Sequence, residues 1–381
     1  MKKHSKINKG LKRFTKWLNH PGNKLQLVVS LVAVALLLGS IYIFKNPVTD
    51  VRPLVDHVWP NIWRTLLILA AVIMIVIATR HYQQPAAVAD DGGNEWLHRL
   101  SVALPVIALI FMLIQLFWPE FATLLVRKET WPFFRNSIFI KCAFEIVGVI
   151  FMVIIAKRYF KHGMKLAGVI AVIVALVLFV MAGEELSWGQ RIFKWDTPES
   201  MISANEQKET NLHNLATQLF QNTLYFGCWL LLVAMPFLRK LLQKILENIR
   251  PLRFLVDWLP PVQFLLMFAV GFAFCDPLIS KSGSPETGLY YNSNLFIVLG
   301  TLTFLVATLV GQVIAHCQRK DILHTSIVLL LFVVIAVFEL FFNRVWSYNA
   351  GAVTEYLELF AIFGVMLWTV QINRVTKRSL C

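Results

Sequence analysis

The run LAGVIAVIVALVLFVMA, residues 166–182, holds no charged or hydrogen-bonding side chain. At about 1.5 Å rise per residue, a helix of this length crosses most of the roughly 30 Å hydrocarbon layer of a bilayer. Inside lipid each backbone amide needs an internal partner, so such a run has to be helical. Similar runs recur along the chain. They predict crossing helices at about 25–44, 62–79, 100–118, 138–156, 166–183, 221–238, 260–278, 295–315, 322–342 and 353–371. The expected fold is all-α, a polytopic transmembrane helix bundle of about ten spans. A soluble globular domain is excluded, because 57% of the residues are hydrophobic and only 15% charged, against about 25% charged in soluble domains.

The loops between these runs set the orientation. With the amino terminus in the cytoplasm, most of the 36 Lys and Arg fall on the cytoplasmic side, as the positive-inside rule requires. An even number of spans then puts both termini inside. The formal charge of +14 is thus a topological signal. It does not point to nucleic acid, because the basic residues punctuate apolar runs. Residues 1–24 form a basic segment with Ile7, Leu11, Phe14 and Leu18 at helical spacing, suited to an anionic leaflet. The first span reads as an uncleaved anchor. The transmembrane domain is expected over 25–371, with a polar extracytoplasmic segment at 184–220 and a cytoplasmic tail at 372–381. Pro85–Asn94 reads as a flexible linker. The expected location is the bacterial cytoplasmic (inner) membrane. The five cysteines lie scattered, mostly in apolar runs, without a CxxC pair, so neither a disulfide framework nor a thiolate zinc site is indicated.

The acidic residues are less evenly spread. In this topology Glu145, Glu184, Glu185, Asp276, Glu339, Glu355 and Glu358 all lie in outer halves or outer ends of spans, together with Lys141 and Arg64. Charged groups in lipid are costly and normally face a protein interior or a wet cavity. One polar cavity open to the outside is therefore expected. Lys141 and Glu145, one helical turn apart, can also pair with each other. Asp276–Asn294 is a candidate outer lid.

Behind the opening run comes GEELSWGQRIFKW, Gly183–Trp195, and then a polar stretch containing NEQKETNLHN, Asn205–Asn214. If KETNLHNLATQLF is helical, Glu209 and His213 share one face. A carboxylate and an imidazole so placed can bind a divalent metal such as zinc, with Glu184 or Glu185 completing the shell. Without metal, Glu184 and Glu185 form a dyad in which mutual repulsion makes one carboxyl a usable acid or base. The candidate catalytic residues are Glu184, Glu185, Arg191 and His213. The candidate substrate-binding residues are Trp188, Gln190, Glu145, Glu339, Arg344, Glu355 and Glu358. The candidate metal ligands are Glu185, Glu209 and His213. Arg191 and Arg344 can each hold an anionic head group, while Trp188 and Trp195 also suit interface anchoring.

The stretches GEELSWGQ and ETNLHN resemble a pattern of uncharacterised bacterial multispanning membrane proteins. A looser similarity is to glutamate-dependent intramembrane proteases, which carry adjacent glutamates, a nearby Arg and separate His motifs. Glu184 and Glu185 match that pair. Arg191 stands farther along than that pattern places it, and no Phe precedes His213 by four residues. What the protease likeness implies is a membrane-edge glutamate dyad. The residues themselves lead to an enzyme expectation: a hydrolase or transferase acting on a lipid or lipid-linked, amphipathic substrate. A proton- or cation-coupled transporter, using Glu145, Glu339 and Glu358, is the alternative. A non-catalytic scaffold or sensor is the third, and predicts that the carboxylates are already paired.

Overall fold

The computed structural model describes residues 95–117, 137–202, 209–212, 217–273, 287–342 and 350–380. The segment 1–24, the expected spans 25–44 and 62–79, and the linker Pro85–Asn94 lie outside the described residues. Among the described residues all regular structure is helical. In chain order the helices are α1 Glu95–Phe117, α2 Ser137–Lys161, α3 Lys165–Glu185, α4 Gln190–Phe193, α5 Glu199–Ile202, α6 Thr217–Trp229, α7 Met235–Asn248, α8 Val262–Ala273, α9 Thr287–Ile314, α10 Arg319–Phe342 and α11 Ala350–Leu380.

The expected spans from 100–118 onward fall on these helices over their described residues, with 221–238 running from α6 through a π turn into α7. Five helical stretches are long and apolar enough to cross a bilayer: Ile138–Lys161, Lys165–Glu185, Thr223–Asn248, Ile297–Ile314 and Glu358–Leu380. A sixth is formed if Arg250–Trp258 and Val262–Gly271, bent by 58°, count as one. The described part of the chain is thus all-helical, with several helices of a length and apolarity suited to a membrane. The helices overrun the apolar windows. α9 starts at Thr287, so the second half of the stretch read as a lid is helix, and α11 runs to Leu380 through the expected tail. Hydropathy marks the width of the bilayer, whereas a helix ends only where backbone bonding stops.

The described residues fall into two compact units. One takes in the described residues of Met1–Phe121 and Trp229–Ala350, the other those of Ala122–Cys228 and Gly351–Cys381. In the first unit, Phe264–Val270 of α8 is buried throughout, and α8 packs against α1, α9 and α10. Trp229 donates its indole N–H to Thr301 Oγ1 at 2.9 Å and stacks on Phe304. Between α6 and α7 the helix widens into one π turn, Leu230–Ala234, just before Pro236. A proline removes one helical N–H and crowds the carbonyl four residues back, and a wider turn makes room for it.

The second unit carries most of the candidate site. α2 and α3 form a helical hairpin. Its turn is a Schellman cap: Gly163 sits at φ +72°, its N–H binds Phe160 O at 3.0 Å, and Met164 N–H binds Tyr159 O at 2.9 Å. The buried stripe of α3 is Ala167, Gly168, Ala171, Ala175, Leu178 and Ala182. Small residues at helical spacing let two backbones approach, which is how helices associate where lipid is as apolar as the side chains. At Gly168 an added Cβ would fall 2.6 Å from the Phe160 ring. α11 runs parallel to α2. Lys141 meets Glu358 near their starts, and Arg158 and Tyr159 meet Asn373 and Thr376 near their ends. The basic residues Lys157, Arg158, Lys161, Lys165, Arg374, Lys377 and Arg378 gather at that second end.

Candidate functional site

At the opposite end of the hairpin, four helices bring ionic groups together. The Lys141 side chain is 2% exposed, and its Nζ lies 2.8 Å from Glu185 Oε2 and 3.0 Å from Glu358 Oε2. Tyr225 of α6 donates its hydroxyl to Glu358 Oε1 at 2.7 Å. The side chains of Glu185 and Glu358 retain 20% and 12% exposure. Two carboxylates on one ammonium leave a unit of negative charge when all are ionised. Such a cluster holds its shape only if the remaining lone pairs find donors, and Tyr225 supplies one.

Lys141 does not take Glu145 as its hydrogen-bonded partner, although one turn separates them. Glu145 is 2% exposed, and both carboxyl oxygens lack a hydrogen-bond partner among the described residues. Lys141 reaches across the hairpin instead. It and Glu185 are equidistant in sequence from Gly163 at the turn, and this symmetry was the signal available in the sequence.

Past Glu185 the chain turns sharply. Ser187, Trp188 and Gly189 have φ of 48°, 54° and 97°. Positive φ at a non-glycine residue costs on the order of 1–3 kcal/mol and persists only when its surroundings enforce it. The enforcing contacts come from residues 209–212. Ser187 Oγ donates to Glu209 Oε2 at 2.7 Å, and Thr210 Oγ1 donates to Ser187 O at 2.6 Å. Arg191 Nη2 pairs with Glu209 Oε2 at 2.7 Å, and Asn211 Nδ2 donates to the same oxygen at 3.1 Å. Gln190 acts at both ends of its amide. Its Oε1 accepts from Thr210 N at 2.8 Å, and its Nε2 donates to Thr197 Oγ1 at 2.7 Å and to Trp195 O at 3.1 Å.

Glu184 and Glu185 therefore do not share a proton site. Neighbours on a helix point about 100° apart. Glu185 turns toward Lys141. Glu184 accepts from Trp188 Nε1 at 2.6 Å and from Leu212 N at 2.6 Å. Trp188 folds back over Gly183, where a Cβ would fall 2.9 Å from its ring.

The expected helix through KETNLHNLATQLF is overturned over Glu209–Leu212, which is not helical; α6 begins at Thr217. The cause is that the amides of Thr210 and Leu212 are spent on Gln190 and Glu184. The helical Glu209–His213 face is thereby lost. Metal ligation by Glu185, Glu209 and His213 finds no support: Glu185 is bound to an ammonium and Glu209 to a guanidinium and a hydroxyl. Among the described residues no group of three or more His, Cys, Asp or Glu is placed to hold an ion. His213 and Arg344 lie outside the described residues. Glu355 lies on α11 and Glu339 on α10 of the other unit, and the side chains of both lie outside the described residues.

Beside this knot lies an apolar rim that includes Trp188, Ile192, Phe193 and Trp195, with Phe193 72% exposed and stacked on Trp195. Sequence reasoning missed Ser187, Thr210 and Tyr225, whose partners are remote in the chain. No family model matches the chain, and neither does any curated protein or solved structure.

Proposed function

We propose that this protein is a membrane enzyme, a hydrolase or transferase, that works on an amphipathic lipid or lipid-linked substrate by acid–base chemistry at the outer edge of a bacterial inner membrane. The observation that carries the reading is Lys141, an ammonium buried inside a span and held between two partly exposed carboxylates. Intramembrane ionisable groups are expensive and are by default functional. The basic cap at the other end of α2, α3 and α11 supports the outward orientation.

In this reading Glu185 is the general base, since it joins the cluster and keeps solvent access. Lys141 fixes its position and offsets charge that gathers during reaction. Glu184, Arg191 and Gln190 are positioning residues that hold the Ser187–Gly189 turn. Trp188, Phe193 and Trp195 receive the apolar part of a substrate arriving from the leaflet. His213, one residue beyond the amide anchored on Glu184, is the proton carrier. The chemistry is metal-free at Glu185 and Glu209, whose oxygens already face cations.

The pairing of Glu184, Glu185, Glu209 and Glu358 favours a second reading, a non-catalytic scaffold. Lipid profiling separates the two. Mass spectrometry of lipids from cells making the wild-type chain or E185Q at equal levels is expected to show one lipid class altered. Identical profiles from wild-type, E185Q and empty-vector cells would sink the enzyme reading and leave the scaffold.

A further inference from the structure

Glu145 is the one group of this region that the cluster does not absorb. It lines a small pocket with Leu178 and Met181 of α3 and Ile362 and Val365 of α11. The pocket has room for about one water molecule. Its other walls are carbon and sulfur. A carboxylate with no donor in such surroundings is among the costliest groups a membrane helix can carry. A metal ion would need several oxygen or nitrogen donors, which this pocket lacks. A proton needs none, cancels the charge and takes no space.

We propose that Glu145 is an exchangeable proton site, set one helical turn deeper than Lys141, between the pocket and the Lys141–Glu185–Glu358 cluster with which it exchanges its proton. The charged groups that act on it are Glu185 from α3, Lys141 from its own helix and Glu358 from α11. Exposure falls from 20% at Glu185 and 12% at Glu358 to 2% at Glu145, so the proton enters from the cluster side. The step is a plain transfer. The O–H bond of Glu145 breaks, an acceptor oxygen gains the proton, and no other bond changes. This inference deepens the enzyme reading, in that it rests on the same cluster, but its test needs no turnover.

The full chain in phosphatidylcholine nanodiscs is treated with dicyclohexylcarbodiimide, which is apolar, or with a cationic water-soluble carbodiimide. Either reagent adds whole to a protonated carboxyl: the carboxyl oxygen bonds to the central carbon, the proton moves to nitrogen, and nothing leaves. Peptide mass spectrometry is expected to find the apolar adduct on Glu145, the cationic reagent leaving Glu145 unmodified, and the adduct lost in E145Q. Absence of the apolar adduct at Glu145, or equal labelling by both reagents, overturns the proposal. Should E145Q fail to fold, the position of the adduct in the wild-type chain decides alone. An adduct at Glu145 together with unchanged lipids in E185Q supports the proton site and sinks only the enzyme reading. No adduct together with altered lipids does the reverse.

Discussion

An ammonium that carries two carboxylates cannot be removed without stranding the acids. Lys141→Met leaves Glu185 and Glu358 without the ammonium between them, while Tyr225 still donates to Glu358. Breaking a buried pair from one side costs about 3–5 kcal/mol, and the residual exposure of both glutamates puts this case at the lower end. The double variant K141M/E358Q removes a charge of each sign, so it is expected to cost less than the sum of the singles. Thermal unfolding in detergent measures both, and strict additivity would refute the coupling. Gly189 supplies a different residue-scale test. At φ +97° an alanine is strained, and its Cβ would fall 3.1 Å from the Trp195 ring. G189A is expected to destabilise by about 1 kcal/mol or more. G227A, in mid-helix with nothing within 4 Å, is expected to stabilise by about 0.5–1 kcal/mol. Equal melting shifts for the two would show that the turn is not held as described.

At the scale of elements, the α2–α3 hairpin depends on its stripe of small residues. Ala175→Leu puts a branched side chain into the buried stripe of α3. Overpacking of this kind costs typically about 1–3 kcal/mol, and here it also pulls Glu185 from Lys141. Val177→Leu, on the exposed face of the same helix, is expected to leave stability unchanged. If A175L melts with V177L, the buried stripe is not a contact surface. The spans were legible because apolar runs such as 166–182 leave the backbone one option in lipid. The ends of α9 and α11 were not, since helical bonding continues past the apolar window. ETNL was misread for a related reason. Its spacing suits a helix face, but its amides are claimed by Glu184 and Gln190 from a stretch twenty or more residues earlier. Local periodicity carries no information about a donor's remote acceptor. Glu185 and Glu358 were marked as candidates and Lys141 as a charge inside a span, while their mutual pairing came only from the packing of α2 with α3 and α11.

Orientation belongs to the whole molecule. Within the second unit α2 and α11 run parallel, α3 runs back beside α2, and the ionic cluster and the basic cap occupy opposite ends. Lys and Arg stay on the cytoplasmic side during insertion, which predicts Gly163 inside the cell and Trp195 outside. Single cysteines in a chain cleared of its five native ones read this directly. W195C is expected to react with a membrane-impermeant maleimide added to intact spheroplasts, and G163C only after permeabilisation. G163C carries a cost, since its φ of +72° disfavours any side chain, so H162C in the same turn serves as its replicate. Reaction of H162C in intact spheroplasts with W195C silent would invert the molecule. Glu185 would then face the cytoplasm, and a substrate arriving from the outer leaflet would have no access to it.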